Sequence, residues 1–187
     1  MLGRRRGAGA SEERARDPEA CREAALKLLE RTRRTRSDLA RRLCDRGYPH
    51  EIVTQVLDRL AGVGLVDDSE YARAFLAERW GRRAAGWRRL EQDLRRRGVA
   101  AEDIDRARAR FRDERGDADE VGLAARVVAQ SVRRYASLDP RVRRQRLYAL
   151  LARRGFESEI IEQALRAVPD STEEQARGSA HTRRTRA

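Results

Sequence analysis

Three stretches of this chain superpose without a gap over 22 residues when set on Gly47, Gly98 and Gly155. Leu stands eight residues before each glycine (Leu39, Leu90, Leu147) and again four before (Leu43, Leu94, Leu151). Arg46, Arg97 and Arg154 come immediately before the glycines, and Tyr48, Val99 and Phe156 immediately after. Apolar residues return six positions on (Val53, Ile104, Ile161), nine on (Val56, Ala107, Ala164) and thirteen on (Leu60, Phe111, Val168). Leu at −8 and −4 is one face of a helix, and +6, +9 and +13 are one face of the next. The glycine between them sits where a helix ends in a left-handed residue, a conformation it adopts without a Cβ penalty. Each copy is therefore predicted to be helix, glycine turn, helix.

Another helical stretch precedes each copy, at roughly 19–31, 68–80 and 118–135. Start signals agree. Asp17-Pro18 and Asp139-Pro140 each offer an N-cap followed by proline at the first helical position, and Pro49 restarts the chain after Gly47-Tyr48. Asp67 and Glu70 stand at capping-box spacing, and Pro169 closes the last helix. No alternating apolar and polar run persists long enough for a sheet. The expected fold is all-α: three tandem three-helix repeats forming an elongated, curved helical array, because one unit alone buries little and must stack on its neighbours. The expected division is a tail over 1–16, repeats over 17–66, 67–116 and 117–169, and a second tail over 170–187. The tails are Gly, Ala, Arg, Ser, Thr and Glu with almost no large apolar residue, a composition expected to be disordered.

Charge follows the repeat. The chain of 187 residues carries 43 basic and 31 acidic side chains, a net +12, and Lys27 is its single lysine. Residues 19–168 hold +9 of this, so the tails do not explain it. Residues 31–46 and 82–97 each have seven Arg and two acids, and 133–154 have eight Arg and one acid. The stretches after the glycines are acidic: 98–123 have eight acids against five Arg. The middle helix of each unit is thus expected to be basic and the third acidic. In parallel register the middle helices would line up as a positive stripe suited to a polyanion. The competing reading is a solvated face balanced by neighbouring acids. The choice of Arg over Lys says little, since codon composition alone favours Arg and Ala together.

Several chemistries lack material. No apolar run reaches the roughly 18 residues of a membrane span. Cys21 and Cys44 make no disulfide framework and are expected to be buried small hydrophobes. His50 and His181 are the two histidines, and His50 is expected at the surface. No phosphate loop, nucleophile elbow or catalytic carboxylate pair is present, so no enzyme, cofactor or metal is expected. Asp67-Asp68 is read as a cap rather than a cation site. The helix–turn–helix is read as packing rather than major-groove readout, because Glu102, Asp103 and Asp105 on the second helix would repel phosphates. Tyr71, Phe75 and Trp87 lie on apolar faces and are expected in the core. Trp80, beside Gly81-Arg82-Arg83, is the aromatic to test as exposed.

The run Gly64-Leu65-Val66-Asp67-Asp68-Ser69-Glu70-Tyr71-Ala72-Arg73-Ala74-Phe75 resembles the hallmark of RecX regulators. In that family Gly-Leu-(Leu/Ile/Val)-Asp-Asp leads into a Tyr-Ala-x-x-Phe helix. Arg88-Arg89-Leu90, Leu94 and Gly98-Val99 resemble its second signature, a basic Leu-x-x-x-Leu-x-x-x-Gly-(Ile/Val) run. Ala85-Gly86-Trp87 departs from the Gly-Pro that the family often has there. The resemblance spans about 19–168 and implies a modulator of the bacterial RecA recombinase. Such proteins bind along the groove of the RecA–single-stranded DNA filament and inhibit strand exchange, ATP hydrolysis and the co-protease activity of the SOS response. The implied partners are the RecA filament and single-stranded DNA, in the filament if not alone, for a cytoplasmic monomer with no membrane contact. The residues nominated to meet filament or nucleic acid are Arg82, Arg83, Arg88, Arg89, Arg95, Arg96, Arg143, Arg144 and Arg153. Two alternatives stand beside this: an independent nucleic-acid-binding protein of nucleoid-associated type, and a helical adaptor whose charge is compositional.

Overall fold

The computed structural model describes residues 16–80, 82, 84–115 and 119–166. Residues 1–15 and 170–187 of the expected tails, Arg83, Val168 and Pro169 lie outside these. Among the described residues the structure is helical, with no strand. The helices are α1 (Pro18–Arg31), α2 (Arg36–Cys44), α3 (His50–Gly62), α4 (Asp68–Arg79), α5 (Trp87–Arg95), α6 (Ala101–Arg115), α7 (Glu120–Val132), α8 (Pro140–Arg153) and α9 (Ser158–Arg166), with a short 3-10 turn at Arg133–Tyr135. The expected caps form. Asp17 accepts the Glu19 N–H, Asp139 the Arg141 N–H and Asp67 the Glu70 N–H, each at 2.9 Å. The cap of α2 is Thr35, whose hydroxyl accepts the Asp38 N–H at 3.1 Å.

The repeat positions become the core. Leu39, Leu90 and Leu147 are buried, as are Leu43, Leu94 and Leu151. So are Val53, Ile104 and Ile161 beyond the turns, and Val99 and Phe156 just after them. In the first repeat Cys21, Ala25 and Leu28 of α1 join Leu39, Leu43, Val53, Val56, Leu57 and Leu60. In the third, Leu123, Val127 and Val128 of α7 join Leu147, Leu151, Phe156 and Ile161. All three turns close alike. Gly47, Gly98 and Gly155 have φ of +93, +77 and +85°. Their amides donate to the carbonyls three residues back, and the Tyr48, Val99 and Phe156 amides donate to those of Leu43, Leu94 and Leu151 at 3.2 Å. This is the double closure that satisfies the last carbonyls of a helix and packs an apolar residue beneath it.

Two compact units emerge, one within Met1–Glu78 and Glu91–Gly116, the other within Arg79–Leu90 and Asp117–Ala187. The division runs through the second repeat, and hydrogen bonds explain it. The strand of chain entering α5 is held by the third repeat: the Gly86 N–H donates to the Arg154 carbonyl at 2.9 Å and the Trp87 N–H to the Glu120 carboxylate at 2.9 Å. The first unit contains the same joint one repeat earlier. There the Thr35 hydroxyl donates to the Arg97 carbonyl at 2.8 Å, and the Arg36 N–H to the Asp68 carboxylate at 2.8 Å. Thr35 and Gly86 stand twelve residues before their glycines, Arg36 and Trp87 eleven before. Asp68 and Glu120 each open a first helix. The start of one repeat's middle helix thus docks on the glycine turn of the next, by one rule used twice.

Four expectations need correction. Cys21 is buried, but Cys44, at the last position of α2, is exposed because it sits beside the −4 leucine rather than on its face. Tyr71, expected in the core with Phe75 and Trp87, is half-buried instead, because its hydroxyl reaches Arg97; Trp80, the aromatic to test as exposed, is half-buried against the core of the third repeat. The middle helices α2 and α5 span nine residues each. Much of the arginine assigned to them lies instead in the connections: Arg33 and Arg34 precede α2, and Arg96 and Arg97 follow α5.

Candidate functional site

In the first unit the arginines of the α1–α2 connection and of α2 meet those after α5. Arg33, Arg34, Arg41, Arg42, Arg96 and Arg97 line a hollow of about 540 Å³, with Thr32, Thr35, Ser37 and Tyr71 on its walls and Asp38 as its single acid. The docking of Thr35 on the Arg97 carbonyl creates it, because that bond brings the start of α2 beside the turn after α5.

Asp38 organises one side. Its carboxylate accepts from Arg34 at 2.8 Å, Arg41 at 2.6 Å and Arg42 at 2.8 Å. Burial alone would raise its pKa, but hydrogen bonds from Arg42, Arg34 and Arg41 prevail and bring it down to about 2. With Asp45 also 3.8 Å from Arg41, two carboxylates face three guanidinium groups, which leaves one positive charge and N–H donors to spare. Arg34 also donates to the Leu28 carbonyl, which ties it to α1. On the other side the Arg97 guanidinium lies 5.2 Å from the Phe75 ring centroid and donates to the Tyr71 hydroxyl at 3.4 Å. A guanidinium over a ring is held flat at little cost in hydration.

A second hollow, of about 490 Å³, adjoins the first and shares Arg33, Arg34 and Tyr71 with it. Its apolar lining comes from Leu26 and Leu29 of α1 and from Leu65, which is 53% exposed. Glu30, Asp67 and Glu70 stand at its edge. Glu70 is engaged by Arg73 at 2.8 Å and Arg33 at 3.2 Å, and those guanidinium groups hold its pKa below the usual range.

Of the nominated residues, Arg82, Arg88, Arg89, Arg95, Arg96, Arg144 and Arg153 are exposed. Arg96 lines the arginine hollow and pairs with Asp93 at 3.3 Å, and Arg95 pairs with Glu91 at 2.7 Å. Arg83 lies outside the described residues. Arg143 is buried to 8% exposure on α8, with no hydrogen-bond partner for its Nε among the described residues, so it offers little surface. Arg144 and Arg153 are nine residues apart on that helix, which puts them about half a turn from each other. Arg33, Arg34, Arg41, Arg42 and Arg97 were not nominated. The signal for the first four was the +5 of residues 31–46, equal to that of 82–97, and Arg97 belongs to the latter stretch. No group of three or more His, Cys, Asp or Glu placed to hold a metal occurs among the described residues, and no described helix is long and apolar enough to cross a membrane.

Family profiles place this architecture. Those for the first, second and third three-helix domains of RecX match residues 21–60, 67–107 and 118–165. The regulatory protein RecX of Streptomyces coelicolor is 36% identical over 167 residues, covering 89% of this chain and 85% of its own. This chain belongs to the RecX family. RecX of Mycobacterium tuberculosis is 40% identical over 144 residues, covering 74% of this chain and 79% of its own. A crystal structure of a regulatory protein RecX superposes with a TM-score of 0.70 at 27% identity, over 88% of this chain and 79% of that one. RecX from Lactobacillus salivarius superposes with a TM-score of 0.72 at 17% identity, over 80% and 95%, and shares the fold. The three RecX domains correspond to the three repeats aligned on Gly47, Gly98 and Gly155.

Proposed function

We propose that this RecX-family regulatory protein binds the RecA–single-stranded DNA filament in the cytoplasm and inhibits its recombinase, ATPase and co-protease activities, without catalysis of its own. In this way it modulates DNA repair and the SOS response. The observation that carries the reading is the arginine hollow, lined by six arginines and one carboxylate, with Arg34, Arg41 and Arg42 gathered on Asp38, in a protein whose relatives are named regulatory proteins. Such a surface attracts a phosphate backbone, and the exposed Arg88, Arg89, Arg95, Arg144 and Arg153 add further charge. The test is the DNA-dependent ATPase of RecA. Addition of this protein should lower it at near-stoichiometric or smaller amounts. Wild-type ATPase and strand exchange at every ratio would overturn the reading.

The same hollow also favours direct nucleic-acid binding without RecA. A salt titration with and without filament separates the two. Weak binding alone and strong binding to filament supports the regulator; equal, salt-sensitive binding to bare nucleic acid supports the independent binder.

A further inference from the structure

The two adjoining hollows of the first unit differ in chemistry, and a single-stranded nucleotide has the same two halves. We propose that they form one site for an unstacked nucleotide of single-stranded DNA: phosphates flanking the nucleotide lie in the arginine hollow and its base enters the apolar hollow beside Tyr71. The choice of DNA rests on the reading above, and the site deepens that reading.

Charge sets the orientation. Arg41, Arg42, Arg96 and Arg97 belong to the first hollow alone, while Glu30, Asp67 and Glu70 belong to the second alone. A phosphate is attracted to the first and repelled from the rim of the second. The base end is apolar where it needs to be. Leu26, Leu29 and Leu65 supply aliphatic surface, and Leu65 is 53% exposed, so a base laid on it removes water from a large side chain. Tyr71 stands on the wall common to both hollows. It is half-buried, and Arg97 donates to its hydroxyl at 3.4 Å, which fixes the ring for stacking. Glu30 at the rim can accept from a base amino group, as acceptors do when an unpaired base edge is read, while Glu70 and Asp67 are engaged by Arg73, Arg33 and the Glu70 N–H. Each hollow falls in the size range of small-ligand sites. A base inside a duplex is stacked on both faces and cannot enter a side pocket without leaving the stack, so the site selects unpaired strands.

The experiment is fluorescence anisotropy of the full chain with a labelled single strand, its duplex, and a strand of equal length in which the central nucleotides are abasic, all without RecA. Three variants enter, each checked for helical content: Arg41→Glu with Arg96→Glu, Leu65→Ser, and Tyr71→Ala. The side chains of Arg41 and Arg96 are 63% and 61% exposed, and Leu65 is exposed too, so these variants leave the buried core untouched. The wild type should bind the single strand about tenfold more tightly than the abasic strand, the scale of one base–aromatic stack. The double reversal should weaken binding to both strands and lower the salt slope by about 1.4, two phosphate contacts. Leu65→Ser and Tyr71→Ala should weaken the normal strand by about tenfold and leave the abasic strand unchanged.

Equal binding of normal and abasic strands by the wild type overturns the proposal. So does wild-type binding by Leu65→Ser, by the double reversal, or a duplex bound as tightly as the single strand. The regulator reading fails separately. Base-dependent binding by a chain that leaves the RecA ATPase untouched overturns that reading and keeps the site. Inhibition of RecA by a chain without base-dependent binding overturns the site alone.

Discussion

Gly47, Gly98 and Gly155 are interchangeable in the sequence and unlike in the structure. All three have positive φ, so any Cβ costs about 1–2 kcal/mol in backbone strain. At Gly47 no described atom lies within 4 Å of where a Cβ would stand, whereas at Gly155 it would meet the Arg89 backbone nitrogen at 2.5 Å and at Gly98 the Ser37 side chain. Gly47→Ala should therefore cost about 1–2 kcal/mol in urea unfolding. Gly155→Ala should cost more, because the start of α5 must also move off the turn. A smaller loss at Gly155 than at Gly47 would contradict the joint. Thr35 is 1% exposed and its hydroxyl serves both the α2 cap and the Arg97 carbonyl. Thr35→Val should lose about 2 kcal/mol, one cap and one hydrogen bond, while Thr35→Ser keeps both. The leucines and the glycines were plain in the sequence because helical spacing and a left-handed stop leave a pattern. The joint was not, since Thr35 and Gly86 share a position and a role but no chemistry that a pattern would register.

At the scale of elements, α2 is where fold and charge meet. Leu39 and Leu43 are fully buried on one side, and Asp38 gathers Arg34, Arg41 and Arg42 on the other. The Asp38 pKa falls from 3.8 to about 2, so the ionised form stabilises the fold. That contribution is fully present above pH 4 or so and is lost as pH falls toward 2. Asp38→Asn should be less stable than the wild type at pH 7, and the gap between their urea midpoints should close over that window. Asp68 behaves oppositely. Burial raises its pKa above 3.8, partly offset by the Arg36 N–H. Its protonated form is the more stable one, a contribution present below the ordinary carboxylate range and lost as pH rises past the raised value. Asp68→Asn keeps an acceptor for the Arg36 N–H without a buried charge. It should match the wild type in acid and equal or exceed it at pH 7, whereas Asp68→Ala should be weaker at both. The sequence marked α2 as basic; it did not reveal that its arginines meet those after α5, because Thr35 and Arg97 are 62 residues apart and the meeting depends on the joint.

For the whole molecule the argument concerns where +12 resides. Residues 19–168 carry +9 of it, so a chain trimmed to 17–169 should retain most of its effect on RecA ATPase, and loss of that effect would assign the activity to the ends. The alternation of basic and acidic stretches was legible in the chain, and so was the family, through Gly64–Phe75 and the Arg88-Arg89-Leu90 run. Which arginines are available was not. Arg143 is buried while its neighbour Arg144 is exposed, a difference set by one step of helical rotation.

The joint reaches the carbonyl before each glycine with a hydroxyl in one unit and a main-chain amide in the other. What the two joints share is a hydrogen given to that carbonyl, from a side chain in one and from the main chain in the other. Thr35→Val would remove the donor in the first unit, and in the second a Cβ at residue 86 would meet the Gly155 backbone at 2.5 Å, so the same bond restricts the two positions in different ways.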